Sequence, residues 1–200
     1  MNNKENLLDT ALDLFSKKGF SGVSVRDICG SLGLKESALY YHFKNKEAIL
    51  NALYSKVDNL IMQMKMTFDS AFTNVTKVTG QEMCLVAVGF LKNYYCDETV
   101  LKLLAMLSIE RMSDQTANQI YQKLYYDLPL EQCQKIFLQM KERNIIRDLD
   151  CEYLAKEYLC AISFAFDRFI QGQTDKNAQF EKAASEVTKQ ISLFFERITK

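Results

Sequence analysis

The most informative stretch of the chain runs from Ser24 to Phe43 and reads SVRDICGSLGLKESALYYHF. Ser24 with Asp27 three residues later is typical of a helix start, where a hydroxyl and a carboxylate satisfy free backbone amides. Gly33 is suited to the left-handed conformation that ends a helix, which limits this helix to about nine residues. A second amphipathic stretch, Glu36 to Phe43, follows at once. The pattern therefore predicts two short helices joined by a tight turn.

Hydrogen-bond donors are concentrated on the second of these helices. They are Lys35, Ser37, Tyr40, Tyr41, His42 and Lys44, with Lys46 just beyond. Leu34, Leu39 and Phe43 are the apolar side chains expected to pack inward. Such donors bind phosphate oxygens and fix the register of a recognition helix on DNA, while Lys35 and Ser37 near its N-terminus are placed to approach base edges. Helix pairs around a glycine also occur as purely structural corners, and the donors favour DNA binding over that alternative.

The sequence around this helix pair resembles the N-terminal signature of the tetracycline-repressor (TetR) family. The resemblance covers about residues 4–55 and is carried by Ser24-Val-Arg-Asp-Ile-Cys, Leu32-Gly-Leu, Ala38-Leu-Tyr-Tyr-His-Phe and Lys44-Asn-Lys-Glu, with Ile49 and Leu50. It implies that Ser24 caps the second helix near a phosphate, that Tyr40 and His42 contact the DNA backbone, and that Lys46 binds another phosphate. The expected DNA-binding set is Ser24, Arg26, Lys35, Ser37, Tyr40, Tyr41, His42 and Lys46.

Base recognition departs from the family pattern at the start of the second helix. Lys35 stands where the family usually has a serine, and Ser37-Ala38 where it usually has Gly-Thr, so a common hydroxyl contact is missing. Glu36 is either a solvated charge or ion-pair partner of Lys35, or an acceptor for a cytosine amino group. The resemblance therefore implies DNA binding without implying the operator sequence.

The composition predicts an all-α protein. Hydrophobic residues form 48% of the 200, enough to bury a sizeable core, and one Pro with seven Gly leaves few turns. We expect a three-helix DNA-binding domain over 1–46, whose first helix ends at Gly19, and a larger effector-binding and dimerisation domain over 47–200. The smaller domain holds seven Lys and Arg against five Asp and Glu, a mild excess that permits a nucleic-acid partner.

Long helices are expected in the larger domain. Their predicted ranges are 46–72, 81–95, 99–112, 114–143 with an interruption at Pro129, about 150–171, and a final helix after a loop at 172–177; a polar turn is expected at 74–80. The first carries an apolar stripe of Leu50, Leu53, Val57, Leu60, Met64 and Ala71.

The last two helices are the expected dimer interface. The final helix has the stripe Phe180, Ala184, Val187, Ile191, Phe194 and Ile198, and the preceding helix is apolar nearly all round from Leu159 to Phe166. A helix with two apolar sides needs two partners, and the same two helices of a second copy supply one in a four-helix bundle. A core within one chain is the alternative. The resemblance implies a homodimer, which also suits a palindromic operator.

A small-molecule effector site is expected among aromatic and Met side chains of the middle helices. The candidates are Phe90, Tyr94, Met106, Glu110, Tyr125 and Phe164. Such residues are commonly ordinary core, but family members often enclose a ligand there, and an inward carboxylate at Glu110 would suit a cationic ligand. A partner protein in place of a small molecule is the alternative. We expect a repressor that the effector releases from DNA.

Other classes of protein are disfavoured. The chain has one histidine, in the DNA-binding helix, and no Gly-rich phosphate loop, metal-ligand cluster or nucleophile motif, so we expect no enzyme, metal or cofactor. No apolar run reaches the length of a membrane span and the start lacks the apolar core of a signal peptide, which predicts a cytoplasmic location. The six cysteines lack C-x-x-C spacing and are expected to be buried thiols.

Overall fold

The computed structural model describes residues 3–72, 79–172 and 176–199, without the side chains of 63, 64, 67–72, 176 and 177. Ten α-helices lie in these ranges: α1 Asn3–Lys18, α2 Val25–Ser31, α3 Glu36–His42, α4 Lys46–Phe72, α5 Gly80–Phe90, α6 Glu98–Glu110, α7 Gln115–Gln122, α8 Leu128–Glu142, α9 Cys151–Phe169 and α10 Lys176–Ile198. Within the same ranges the backbone forms no strand beyond an isolated bridge between Ile146 and Thr199. The expected all-α fold is confirmed.

The helix ends follow local capping residues. Thr79 and Glu82 form a capping box at the start of α5, and the Asp114 and Asp150 carboxylates each accept two backbone amides at the starts of α7 and α9. Pro129 lies in the first turn of α8, where its missing N–H breaks no hydrogen bond. The interruption expected at Pro129 in the stretch 114–143 lies just before that residue, as the π-helical turn Lys123–Asp127 that joins α7 to α8. A second π-helical turn, Leu91–Tyr95, replaces the end of the helix expected over 81–95.

The chain divides into two compact units. The first comprises residues 1–64 and 102–125, and the second comprises 65–101 and 126–200. The predicted boundary after residue 46 does not coincide with a boundary of these units. The division into a DNA-binding domain and an effector-binding domain stays a prediction. The core of the first unit includes the fully buried Leu7, Phe15, Ile28, Leu39, Ile49 and Leu53.

The second unit is built on α5, α8, α9 and α10. The Phe137 ring lies edge-on to the rings of Tyr158 and Phe194, at centroid distances of 5.6 and 5.7 Å. Val187, Ile191 and Phe194 of the predicted α10 stripe are all buried within this chain. This part of the stripe, together with Ile198, therefore belongs to the chain's own core, whereas Phe180 and Ala184 are only partly buried.

Several sequence expectations fall on residues outside the description. They concern positions 73–78 of the expected turn, positions 173–175 of the expected final loop, and the side chains of Met64 and Ala71. Among the described residues no helix combines the length and apolarity needed to cross a membrane, and no three His, Cys, Asp or Glu side chains are grouped for a metal ion.

Burial of the cysteine thiols is confirmed at four of six positions. Cys29, Cys84, Cys133 and Cys151 are buried. The expectation was wrong for Cys160, which is exposed on α9, and for Cys96, which is partly exposed. Such errors arise in apolar stretches of helix, because sequence alone does not say which side of the helix faces the core.

Candidate nucleic-acid interface

The start of α2 has the capping box expected at Ser24. The Ser24 hydroxyl accepts the Asp27 amide at 3.1 Å, and the Asp27 carboxylate accepts the Ser24 amide at 2.7 Å and the Ser24 hydroxyl at 2.6 Å. These bonds stabilise the ionised carboxylate, so they hold the pKa of Asp27 below its usual range. The box satisfies the first amides of a helix only seven residues long, and this fixes where α2 begins.

The turn between α2 and α3 depends on a glycine conformation. Gly33 has a φ of 65°, in the left-handed region, and the Leu34 amide then donates to the Cys29 carbonyl at 2.9 Å. On α3, Leu39 is fully buried, and Phe43 directly after α3 is nearly so. These two side chains fix the inward face of α3 and leave Glu36, Ser37, Tyr40 and Tyr41 exposed.

The outward side chains of α2 and α3 are donors with few partners in the chain. Tyr40 is 52% and Tyr41 85% exposed, and Lys35 and Ser37 are exposed as well. The Arg26 side chain is 89% exposed, with its Nε 3.9 Å from a Glu36 carboxylate oxygen.

The ion-pair partner of Glu36 in the structure is therefore Arg26, where one expectation had Lys35. An exposed pair at this distance contributes little to stability, so the Arg26 guanidinium keeps most of its hydrogen-bonding capacity for another ligand.

His42 is partly buried at the end of α3. Its ring lies edge-on to that of Tyr41, with centroids 4.9 Å apart. Seven of the eight expected DNA-binding residues thus lie on α2, on α3 or at their N-caps.

Lys46 has surroundings that differ from the expectation. Its Nζ donates to the carbonyl oxygens of Phe20 and Val23, both at 2.8 Å, and lies 4.1 Å from the centroid of the Phe20 ring. A lysine has three donors, so two of them are used inside the chain. Sequence reasoning missed these contacts because the partners are 26 and 23 residues away.

The six expected effector-site residues are not brought together in one unit. Met106, Glu110 and Tyr125 belong to the first unit, and Phe90, Tyr94 and Phe164 belong to the second. Phe90, Tyr94, Met106 and Tyr125 are buried. The Phe90 and Tyr94 rings stack at 4.9 Å, and burial raises the pKa of Tyr94 above its usual range.

The other two of the six residues are not buried. Phe164 is 52% exposed because it lies on the outer side of α9. Glu110 is half-buried, and its carboxylate accepts the backbone amide of Phe20 at 2.7 Å. The carboxylate is thus bonded to the loop between α1 and α2, and a ligand contact of Glu110 stays a prediction.

An open cavity of about 800 Å³ lies in the second unit. It is lined by Lys92, Asn93, Cys96, Asp97, Leu101, Ile170, Ala178, Phe180 and Glu181. None of these was expected as a ligand residue, because they come from separate segments and include charged side chains that sequence patterns assign to the surface.

Comparison with known proteins relates the N-terminal part of the chain to a protein family. The model of the bacterial regulatory proteins of the tetR family matches residues 7–53. The Staphylococcus aureus biofilm operon icaADBC negative transcriptional regulator IcaR is 36% identical over 63 residues, which are 30% of this chain and 34% of that protein. The Staphylococcus epidermidis IcaR is 46% identical over 46 residues, 23% of this chain and 25% of that protein. The chain thus matches about a third of the first relative's length and a quarter of the second's.

Solved structures are similar over nearly the whole chain. A Mesorhizobium loti protein assigned to the TetR-family transcriptional regulators has a TM-score of 0.75 at 14% identity, over 99% of this chain and 97% of that one. A transcriptional regulator from Saccharomonospora viridis, in complex with choline, has a TM-score of 0.68 at 15% identity, over 98% and 97%. At such identities the similarity establishes the fold alone.

Proposed function

We propose that this chain, which belongs through residues 7–53 to the tetR family of bacterial regulatory proteins, binds operator DNA as a homodimer and releases it when a small molecule binds. The observation that carries the proposal is the exposed set of donors on a short helix whose apolar side is fixed inward by Leu39 and Phe43. In this proposal α3 is the recognition helix, and its tyrosines and Arg26 bind phosphates.

Selection of bound duplexes from a random DNA pool tests the DNA-binding part. We expect an enriched inverted repeat, because two copies of α3 related by two-fold symmetry contact two half-sites about 34 Å apart or a multiple of it. Tyr40→Phe should weaken binding to the selected duplex and to unrelated duplexes by similar factors, since a phosphate contact carries no sequence information. Tyr126→Phe, in the second unit, is the matched control. No enrichment over the starting pool would refute DNA binding.

The dimer interface proposed here is the outer side of α9 and α10. Tyr153 and Phe164 on α9 and Leu193 on α10 are large apolar side chains that are 66%, 52% and 55% exposed. A depression of about 500 Å³ lined by Ala161, Gln190 and Leu193 lies between the same helices. Burial against a second copy would remove this apolar surface from water.

Sedimentation of charged variants tests this interface. Phe164→Glu and Leu193→Glu should shift the protein to monomer, because each places a charge in an apolar contact. Leu138→Glu is the matched control, since Leu138 on α8 is 44% exposed and lies outside the proposed interface. Dimers that persist in both variants but dissociate in the control would place the interface elsewhere.

Repression and release by a small molecule complete the proposal. The IcaR relatives are named as negative regulators, and a solved structure of similar fold holds choline. The 800 Å³ cavity is lined by the carboxylates of Asp97 and Glu181 and by the Phe180 ring, which suit a cationic ligand, and Lys92 also lines it.

This part of the proposal is tested with a panel of cationic and neutral compounds, each assayed for release of the selected duplex. Phe180→Ala should abolish release by an active compound while DNA affinity stays unchanged. Release that is indifferent to this change would exclude the cavity as the effector site.

A further inference from the structure

The loop between α1 and α2 is bonded to two other helices of the first unit. At Phe20 the backbone amide donates to Glu110 Oε1 at 2.7 Å, and Glu110 is the last residue of α6. The carbonyl of the same residue accepts from Lys46 Nζ at 2.8 Å, and Lys46 is the first residue of α4. Both backbone polar groups of Phe20 are thus held by charged side chains from distant parts of the chain.

Backbone packing at Gly19 reinforces the contact with α6. Gly19 is buried and has a φ of 72°. A Cβ at this position would lie 2.9 Å from Glu110 Oε1 and 2.9 Å from Ile109 Cγ2. The end of α6 therefore approaches the loop closely, and the contact with Ile109 is an observation independent of the hydrogen bond.

The contact with Lys46 reaches the start of α2. The second carbonyl bound by Lys46 Nζ, at 2.8 Å, is that of Val23, which directly precedes the N-cap Ser24. Val23 itself is buried. Its peptide orientation therefore sets the direction in which α2 leaves the loop.

The charges of Glu110 and Lys46 indicate what these side chains do at the loop. A carboxylate in a DNA-binding unit repels phosphates, so Glu110 has no favourable electrostatic part in binding DNA. A hydrogen bond from an amide to a carboxylate is stronger than one to a neutral acceptor, which suits a positional role. Lys46 has two of its three donors on carbonyls and lies over the Phe20 ring, and this also suits a role inside the protein.

We propose that Glu110 and Lys46 are positioning residues for DNA binding, which hold the α1–α2 loop and thereby set the orientation of α2 and α3. The inference rests on the proposed function, and it assigns Lys46 a role different from a phosphate contact. Glu110 contacts no DNA and acts through the Phe20 amide. Lys46 acts through the Phe20 and Val23 carbonyls.

Binding of the selected duplex over a range of salt concentrations tests the inference. Glu110→Ala should weaken binding by roughly tenfold or more, the factor expected for a lost hydrogen bond to a charged group. Loss of a negative charge by itself would strengthen binding, so the sign of the change separates the two effects. Glu110→Gln keeps an acceptor and should retain most of the affinity. Glu5→Ala, an exposed acid on α1, is the matched control and should bind at least as tightly as the wild type.

The salt dependence separates the two roles of Lys46. Lys46→Ala should weaken binding with an unchanged slope of log K against log salt, whereas loss of a phosphate contact lowers that slope by about 0.9. A reduced slope for Lys46→Ala, or undiminished affinity of Glu110→Ala, would overturn the inference.

Hydrogen exchange of the DNA-free protein provides a readout that does not depend on DNA. The Phe20 amide should exchange faster in Glu110→Ala than in the wild type, and Glu110→Gln should lie between them. Unchanged exchange at Phe20 would overturn the positioning role even if no duplex is ever selected. Absence of DNA binding by the wild type, with faster exchange in the variant, would instead refute the proposed function alone.

Discussion

Replacement of Gly19 by alanine probes how tightly α6 packs on the α1–α2 loop. The new Cβ would lie 2.9 Å from Ile109 Cγ2, well inside the roughly 3.5–4.0 Å at which carbon atoms pack, and 2.9 Å from Glu110 Oε1. The φ of 72° adds a backbone cost of about 1 kcal/mol for alanine. Crowding in a packed site adds about 1–3 kcal/mol. We therefore expect Gly19→Ala to lower the free energy of unfolding by about 2–4 kcal/mol.

Gly33 and Gly30 provide matched controls in the same unit. Gly33 has a φ of 65° but no atom within 4 Å of an added Cβ, so Gly33→Ala should cost only the backbone term of about 1 kcal/mol. Gly30 lies within α2, has equally open surroundings and lacks a positive φ. Gly30→Ala should therefore stabilise the protein by up to about 1 kcal/mol, through the higher helix propensity of alanine.

Urea unfolding of the wild type and the three variants measures these differences. All four must be compared at one protein concentration, because dimer formation makes apparent stability depend on concentration. The expected excess loss of Gly19→Ala over Gly33→Ala is about 1–3 kcal/mol, the crowding cost by itself. Equal losses for the two variants would refute the close packing of α6 on Gly19.

Three further predictions concern the caps and a buried thiol. Ser24→Ala should lower the free energy of unfolding by about 1 kcal/mol in the same assay, and the exposed Ser21→Ala should leave it unchanged; equal effects would contradict the capping role. Capping donors lower the pKa of Asp27 and Glu82, so each carboxylate stabilises the folded state at neutral pH and this stabilisation is lost as the pH falls below about 4. Asp27→Asn should lose less stability on acidification than the wild type, and an equal loss in both would exclude Asp27 as a contributor. Burial raises the pKa of Cys133 to about 12, so its thiol should resist iodoacetamide at about pH 8 in the folded protein and react in urea, as mass spectrometry of the labelled peptides would show. Rapid labelling of Cys133 without urea would mean that α8 is less well packed than described.

Local sequence predicted the helix pair well because its determinants are a few residues apart. The capping box spans Ser24 to Asp27, and the turn depends on the conformation of Gly33 itself. The inward position of Leu39 follows from helical periodicity over one short element. Each of these features is fixed by chain neighbours, and each is present in the structure.

Long-range contacts were not predictable from the same patterns. The bond between Glu110 and Phe20 joins residues 90 positions apart, and no spacing rule connects them. Phe164 illustrates a second limit, because α9 is apolar on several sides and periodicity does not say which side faces the core. For these two reasons sequence patterns predicted neither the hydrogen bond of Glu110 nor the exposure of Phe164.

DNA binding is tested most directly by equilibrium binding of the wild-type chain to a duplex from the selected pool. The binding constant is measured over a series of salt concentrations. The proposed phosphate contacts predict that log K falls linearly with log salt, by about 0.9 per phosphate bound. They also predict two chains per duplex and much weaker binding to a scrambled duplex of equal length. Binding that is indifferent to salt, or equal for the selected and scrambled duplexes, would contradict a dimeric, operator-binding regulator.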